Sequence, residues 1–263
     1  MKRFKGFEWE DQPWFPSFLR QYMMDFLRFV LNNGNLYKPV TLLLLNGLQQ
    51  TGSRVIVDLC SGGGGAMPNV QKNLESASGE ITPIILTDLY PNISVYQILK
   101  TESGGSITYY EQPVNAACVP LHLKGFRTIF SGFHHFDAAT AKEVLQNAAD
   151  ANAGIAVFDG GSRSVLFILV ILLFHPIAFV LFTPFIKPFS VKRIFFTYLF
   201  PVVPFCSVWD GIFSVLRLYT PAELLQIANQ IKAATRYNWQ SGIVTNSVGI
   251  KIAYLIGQST EKN

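Results

Sequence analysis

Val55-Ile56-Val57-Asp58-Leu59-Cys60-Ser61-Gly62-Gly63-Gly64-Gly65 decides the fold. A β-branched run that ends in an acid and then in glycines reads as a buried parallel strand entering a tight turn. Backbone without Cβ atoms lets a ligand approach closely, and the helix that follows offers unpaired N–H groups to negative charge. A second apolar run, Pro83-Ile84-Ile85-Leu86-Thr87, delivers Asp88. An acid closing the second strand sits where it can accept hydrogen bonds from a ribose diol. The pair of strands therefore predicts a nucleoside-cofactor site. The dinucleotide pattern Gly-x-Gly-x-x-Gly fits poorly, because Cys60 holds its first glycine position and Asp58 stands before the turn. Asp88 also follows Asp58 by 30 residues, against about 20 in that pattern. The polar stretch from Glu75 to Glu80 absorbs the excess as a loop.

Around this pair the chain alternates strand and helix patterns, which predicts βαβ units and a mainly parallel sheet. Strands are expected at Arg54–Leu59, Ile84–Thr87, Ile107–Glu111, Phe126–Ser131 and Gly154–Phe158. Helices are expected over 14–33, Val40–Gln50, from the glycines to Leu74, and Asp137–Ala149. Thr220-Pro221-Ala222-Glu223 carries a helix start: Thr as N-cap, Pro at N1, Glu at N3. Two last strands, Trp239–Val244 and Gly249–Ile256, are close enough for a hairpin.

Asp58, the Cys60–Gly65 turn and the distant Asp88 resemble the first motifs of class I S-adenosylmethionine-dependent methyltransferases. The resemblance implies a Rossmann-like seven-stranded α/β sheet with a C-terminal antiparallel hairpin, and S-adenosylmethionine as cofactor. Asp58 would meet the cofactor's amino end, and the backbone of Cys60, Ser61, Gly62, Gly63 and Gly64 would line the turn. Asp88 would take the ribose hydroxyls. Asn115-Ala116-Ala-Cys-Val-Pro120 resembles the family's Asp-Ala-x-x-Leu-Pro stretch, so Asn115 would face the adenine amino group, with Asn in place of the family's Asp. Leu89, Ala116 and Ser131 complete the expected cofactor contacts. Phe7-Glu-Trp-Glu-Asp-Gln-Pro-Trp-Phe-Pro16 with Arg20, and Trp209-Asp210-Gly211 with Arg217-Leu-Tyr219-Thr220-Pro221, look like segments of a bacterial, membrane-associated group of these enzymes. The resemblance implies no particular methyl acceptor.

His134 and His135, after the fourth strand, and Asp210 are the candidate catalytic groups. His134 and His135 are adjacent and point different ways, so at most one is expected to face the pocket. Each candidate also has a structural reading: Asp58 as a helix cap, Asp88 as a turn residue, Asn115 as a loop residue, the histidines as core residues. Cys60, with no basic partner in sight, reads as a small buried residue. Three cysteines without C-x-x-C spacing argue for a reduced intracellular chain with no disulfide framework, and no metal site is expected. A net charge of +4 without a clustered basic face argues against nucleic acid. The N-terminus starts positively but has no apolar stretch behind it, so no signal peptide is expected.

Hydrophobic residues make up 49% of the chain and charged residues 14%, where about 25% charged is usual. The apolar excess lies between Val165 and Phe213. Val165–Phe182 has 18 residues and no formal charge; as a helix it reaches about 27 Å, just short of a 30 Å hydrocarbon core. Ile194–Val208 is a second apolar run, expected to be broken by Pro201 and Pro204, with Lys187, Lys192 and Arg193 between the runs. A spanning hairpin would put the three cations outside, against the positive-inside tendency. A shallow insertion with the cations reaching lipid phosphates on the enzyme's own side fits better; a subdomain buried in an oligomer is the alternative. The expected organisation is a helical cap over 1–52, a methyltransferase domain over 53–163 and 217–263, and a membrane-contacting insertion over 164–216. The expected function is methyl transfer to a small-molecule, apolar or lipid-like acceptor at the cytoplasmic face of a membrane. A non-catalytic membrane adaptor keeping the fold is the competing reading, and a nicotinamide dehydrogenase a third.

Overall fold

Ile56–Leu59, the first strand (β1), is buried at all four positions, which only a strand covered on both faces achieves. In the computed structural model, which describes residues 3–4, 6–232 and 234–260, β1 is an interior strand of a seven-stranded sheet, next to its central strand. Its parallel neighbours are β2 (Ile84–Leu86) and β4 (Phe126–Phe130), with β3 (Ile107–Tyr109) beyond β2 and β5 (Ile155–Gly160) beyond β4. The hairpin of β6 (Tyr237–Thr245) and β7 (Lys251–Ser259) closes the other edge, with β7 antiparallel to β5. The order is β3-β2-β1-β4-β5-β7-β6. The chain runs outward from β1 in both directions, so the carboxyl ends of β1 and β4 flank a topological switch point, where open α/β sheets bind ligands.

Helices cover both faces. On one side α5 (Ala138–Asp150) and α9 (Pro221–Ala228) pack Val144, Leu145, Leu224 and Ile227 against Val57, Leu59 and Val157. On the other, α2 (Thr41–Thr51), α3 (Met67–Ser78) and α4 (Ile93–Glu102) pack Leu44, Val70 and Tyr96 against Ile56, Ile84 and Phe158. The alternation of Ile56 and Val57 between these two cores is the strand's period of two. α9 opens with the expected capping box: Thr220 Oγ1 accepts from Glu223 N, and Glu223 Oε2 accepts from Thr220 N at 2.7 Å.

A third core sits beyond the second. α1 (Ser17–Asn33), α6 (Val165–Phe182), the single turn α7 (Val191–Ile194) and α8 (Val202–Arg217) enclose Phe15, Leu19, Met23, Phe26, Phe179, Ile186 and Val203. Phe26 and Phe179 stack with ring centroids 3.6 Å apart. The segment Val165–Phe185, of mean hydropathy 3.0, is long and apolar enough to cross a membrane, and only 6% of its most apolar window is buried. Leu166, Leu173 and Phe174 are each 60–72% exposed.

Two expectations about the insertion are corrected. Pro204 does not break the second apolar run: it lies in the first turn of α8, where proline is tolerated. The break is at Pro201, where a π-helical turn over Phe195–Leu199 gives way to α8 at a bend of 76°. Arg193 is not available to lipid. It is 1% exposed, its Nη1 is 2.9 Å from Asp25 Oδ2 on α1, and it donates to the carbonyls of Ile186 and Pro188. A guanidinium among apolar helices is stable only when paired and hydrogen-bonded. Lys187 and Lys192 remain exposed.

Candidate functional site at the carboxyl ends of the central strands

Asp58 is the third of the four residues of β1 and is 2% exposed. Register places Thr128 of β4 directly beside it; Thr128 Oγ1 donates to Asp58 Oδ1 and Ser61 Oγ to Oδ2, both at 2.7 Å. Burial pushes its pKa up to about 7, against the lowering effect of these two hydrogen bonds; the Asp88 charge adds to the rise. Both oxygens retain acceptor capacity, so a cation arriving here meets an acid that gains from becoming charged.

Asp88 bridges the turn and the second strand. Its Oδ2 accepts from Gly62 N and its Oδ1 from Tyr90 N, each at 2.7 Å. Burial raises its pKa, and the two backbone N–H groups oppose that rise. The resemblance-based role for Asp88 is thus compatible with a carboxylate already fixed at the mouth of the turn.

The glycines owe their identity to more than ligand approach. Gly62, Gly64 and Gly65 have φ of +51°, +87° and +44°, the left-handed region that glycine enters without cost. A Cβ on Gly64 would lie 2.2 Å from Leu99 Cδ1, and one on Gly62 3.0 Å from Met24 Sδ of α1. Arg28 Nη1 and Asn32 Nδ2 of the same helix donate to the carbonyls of Gly63 and Gly65. Helix α1 therefore holds the outer side of the turn.

Cys60 and Ser131 end the adjacent strands β1 and β4, and both have positive φ, +57° and +52°. Strain of this kind in non-glycine residues gathers at functional sites. Ser131 Oγ is 2.5 Å from the Tyr37 hydroxyl, which also accepts from Gly160 N. Burial, first, and neighbouring carboxylates push the Cys60 thiol well up, so it is no nucleophile. Leu89 and Asn115 are exposed and Ala116 is buried; Asn115 Oδ1 caps its own loop by accepting from Ala117 N at 2.9 Å.

The three catalytic candidates meet at one place. His134 and His135 lie in a 3₁₀ turn over Phe133–His135, not on an extended chain, and their ring centroids are 4.4 Å apart. Their rings lie side by side and each brings a nitrogen within 4.8 Å of Glu8, where the sequence expects them to point different ways. His135 Nδ1 is 2.8 Å from Asp11 Oδ1 and 3.3 Å from Glu8 Oε2. Burial alone would depress its pKa; Glu8, Asp11 and Glu10 outweigh that and hold it at about 10. A cation at neutral pH cannot act as a base. Asp210 accepts from Trp9 N at 2.7 Å and Glu10 N at 3.1 Å, clamping the N-terminal segment onto α8. His134 is 5% exposed, with Nδ1 3.1 Å from Asp159 Oδ1.

Several residues at this site escaped the sequence reading. Thr128 shows no motif and is found only once β1 and β4 are aligned. Asp159 carried a signal, since Ile155-Ala-Val-Phe-Asp159-Gly-Gly repeats the pattern of an apolar run, an acid and glycines. Tyr37 carried none, and Glu8 and Arg217 lay in the segments that carry the resemblance with nothing to link them to each other.

No protein-family model and no curated protein matches the sequence. Solved structures do. The plantazolicin methyltransferase BpumL, solved with SAH, is 11% identical, with a TM-score of 0.53 over 95% of this chain and 92% of that one. Human N-acetylserotonin methyltransferase, solved with SAM, is 14% identical, with a TM-score of 0.51 over 92% of this chain. The pyocyanin biosynthetic protein PhzM is 14% identical, with a TM-score of 0.50 over 86%. The chain spans 56% of the length of each of the latter two. Together with the strand order, these likenesses define the fold: the Rossmann-like, seven-stranded sheet of class I methyltransferases.

Proposed function

We propose that the protein transfers a methyl group from S-adenosylmethionine to an apolar, lipid-like acceptor at the cytoplasmic face of a membrane. One observation carries the cofactor reading: Asp58 and Asp88 stand at the ends of neighbouring parallel strands, joined through the Gly62 N–H of the turn between them. Asp58 pairs with the cofactor's amino end, the backbone from Cys60 to Gly64 lines the methionine, and Asp88 accepts from the ribose hydroxyls. Leu89, Asn115, Ala116 and Ser131 border the remaining space. That BpumL and the human enzyme were solved with SAH and SAM supports the same ligand here. Methyl transfer from a sulfonium is an in-line displacement, so positioning can supply most of the acceleration. This suits a site whose buried groups are largely committed to fixed hydrogen bonds.

Membrane contact is supported by α6, whose outer face is apolar and unpartnered among the described residues, and by Lys187 and Lys192 at its far end. An apolar face of this extent on a protein surface marks an interaction site. The stacking of Phe26 on Phe179 and the packing of α6 on α8 hold the helix against the body of the protein, which favours shallow insertion over crossing. Incubation with methyl-tritiated S-adenosylmethionine and membrane vesicles tests the acceptor. Label is expected in the organic extract. Label found only in protein or in water-soluble product would overturn the lipid-like acceptor.

A further inference from the structure

Glu8, His134 and His135 bring one ligand atom each to within 4.8 Å of one another. Two of these atoms are unusual. His134 Nε2 and Glu8 Oε2 are buried and have no hydrogen-bond partner among the described residues. Glu8 is fully buried and His134 is 5% exposed. Among the described residues Glu8 Oε2 has only the His135 ring, at 3.3 Å, and His134 Nε2 has no partner; a buried nitrogen left unpaired beside a buried carboxylate is costly unless something satisfies it.

Their other atoms are anchored. Asp159 Oδ1 lies 3.1 Å from His134 Nδ1; with Nδ1 donating to that carboxylate, Nε2 keeps its lone pair free. Arg217 Nη1 donates to Glu8 Oε1 at 3.2 Å, leaving Oε2 to face the histidines. A carboxylate behind a histidine and a fixed carboxylate beside it are the supports that metal sites use to orient their ligands. Formal charge points the same way. Glu8, Glu10, Asp11, Asp159 and Asp210 surround the histidines, and Arg217 pairs with only two of them, Glu8 and Asp11.

We infer that Glu8, His134 and His135 hold a divalent first-row metal ion. Its binding displaces the proton that His135 carries in its absence. Two imidazoles and one carboxylate select zinc, cobalt, manganese or iron over magnesium and calcium, which prefer all-oxygen sites. Ligand atoms on a tetrahedral ion at about 2.1 Å stand about 3.4 Å apart; Glu8 Oε2 and His135 Nδ1 are 3.3 Å apart as they stand. Three protein ligands leave a position for water or for an acceptor oxygen. The ion ties the N-terminal segment to the turn after β4. None of this depends on the cofactor reading, and binding is measured without cofactor.

Tag-free protein titrated with Co²⁺ gives visible absorption bands that saturate at one equivalent, and Zn²⁺ abolishes them by displacement. His134→Ala and Glu8→Gln each weaken binding at least tenfold, and Asp159→Asn weakens it about 10- to 100-fold. His122→Ala, at an exposed histidine away from the cluster, leaves it unchanged. Should a variant fail to fold, X-ray absorption on the zinc-loaded wild type decides: two histidine ligands are expected. No saturable binding by the wild type, or a zinc shell without histidine, would overturn the site.

Discussion

The two ends of helix α1 face opposite kinds of interior. Toward the sheet, Arg28 and Asn32 hold the glycine turn beside Asp58 and Asp88, where polar groups are buried and positioned by hydrogen bonds. Toward the insertion, Phe15, Leu19 and Phe26 pack against α6 and α8, whose outer surface stays apolar and exposed. The first region conceals charge and the second displays hydrocarbon. Each arrangement is unfavourable for a freely soluble protein unless something completes it; in the proposed function a cationic nucleoside completes the first and lipid the second. One ion pair, Arg193 with Asp25, joins the two.

Breaking that pair gives the largest expected effect. Arg193→Ala strands Asp25 in an apolar layer, with Arg28 Nη1 at 3.1 Å from Oδ1 as its remaining partner. Removing one member of a buried pair costs about 3–5 kcal/mol. Chemical unfolding of detergent-solubilised protein should show this loss, and replacing both residues by apolar ones should recover much of it. An unchanged midpoint would mean that the insertion is not anchored to α1 in this way.

A smaller effect sharpens the polar side. Asp58 has a pKa of about 7 when the crevice is empty, raised chiefly by burial. A bound ammonium favours the ionised form and lowers that pKa, so binding below pH 7 must release a proton. Affinity for S-adenosylhomocysteine should therefore rise with pH and level off above neutrality. One pKa unit corresponds to about 1.4 kcal/mol, so titrations at pH 6 and pH 8 should differ about tenfold. Equal affinities would remove Asp58 from contact with the amino end.

An effect of intermediate size lies on the apolar side. Basic side chains at an anionic surface contribute about 1 kcal/mol each, so Lys187→Ala with Lys192→Ala should weaken flotation on vesicles rich in phosphatidylserine about 30-fold. Neutral vesicles should still float the protein through α6, and high salt should not release it. Arg193 should add nothing to this salt-sensitive part, since it is committed to Asp25. A protein that remains in solution with every vesicle would leave α6 to a protein partner.

The sheet was legible because parallel strands and their helices leave local traces. Runs such as Val55–Val57 and Ile84–Leu86 are apolar throughout, and the Thr220–Glu223 capping box announces α9. Several strands are shorter than expected, β1 beginning at Ile56 and β3 ending at Tyr109, while β5 runs on to Gly160 because Ile252 of β7 lies opposite it. The acids at the strand ends could be read for the same reason, as endings of apolar runs. What sequence could not show was pairing between distant loops. Glu8 meets Arg217 across 209 residues and Asp25 meets Arg193 across 168, with no periodicity to link them. The paired histidines were misjudged because their direction depends on a 3₁₀ turn, which no pattern in Phe130–Phe136 specifies. Arg193 was read as a lipid-facing cation for a similar reason: charge is visible in sequence, but a buried partner is not.

Calorimetric titration of the wild type and of Asp88→Ala with S-adenosylhomocysteine, with NAD in parallel, tests the central claim most directly. Wild-type protein should bind S-adenosylhomocysteine at one site and NAD not at all. Asp88→Ala should bind about 1.5–3 kcal/mol more weakly, through loss of charge-assisted hydrogen bonds to the ribose. Absence of binding by folded wild-type protein, or equal binding by a folded Asp88→Ala variant, would contradict a cofactor site at the ends of β1 and β2.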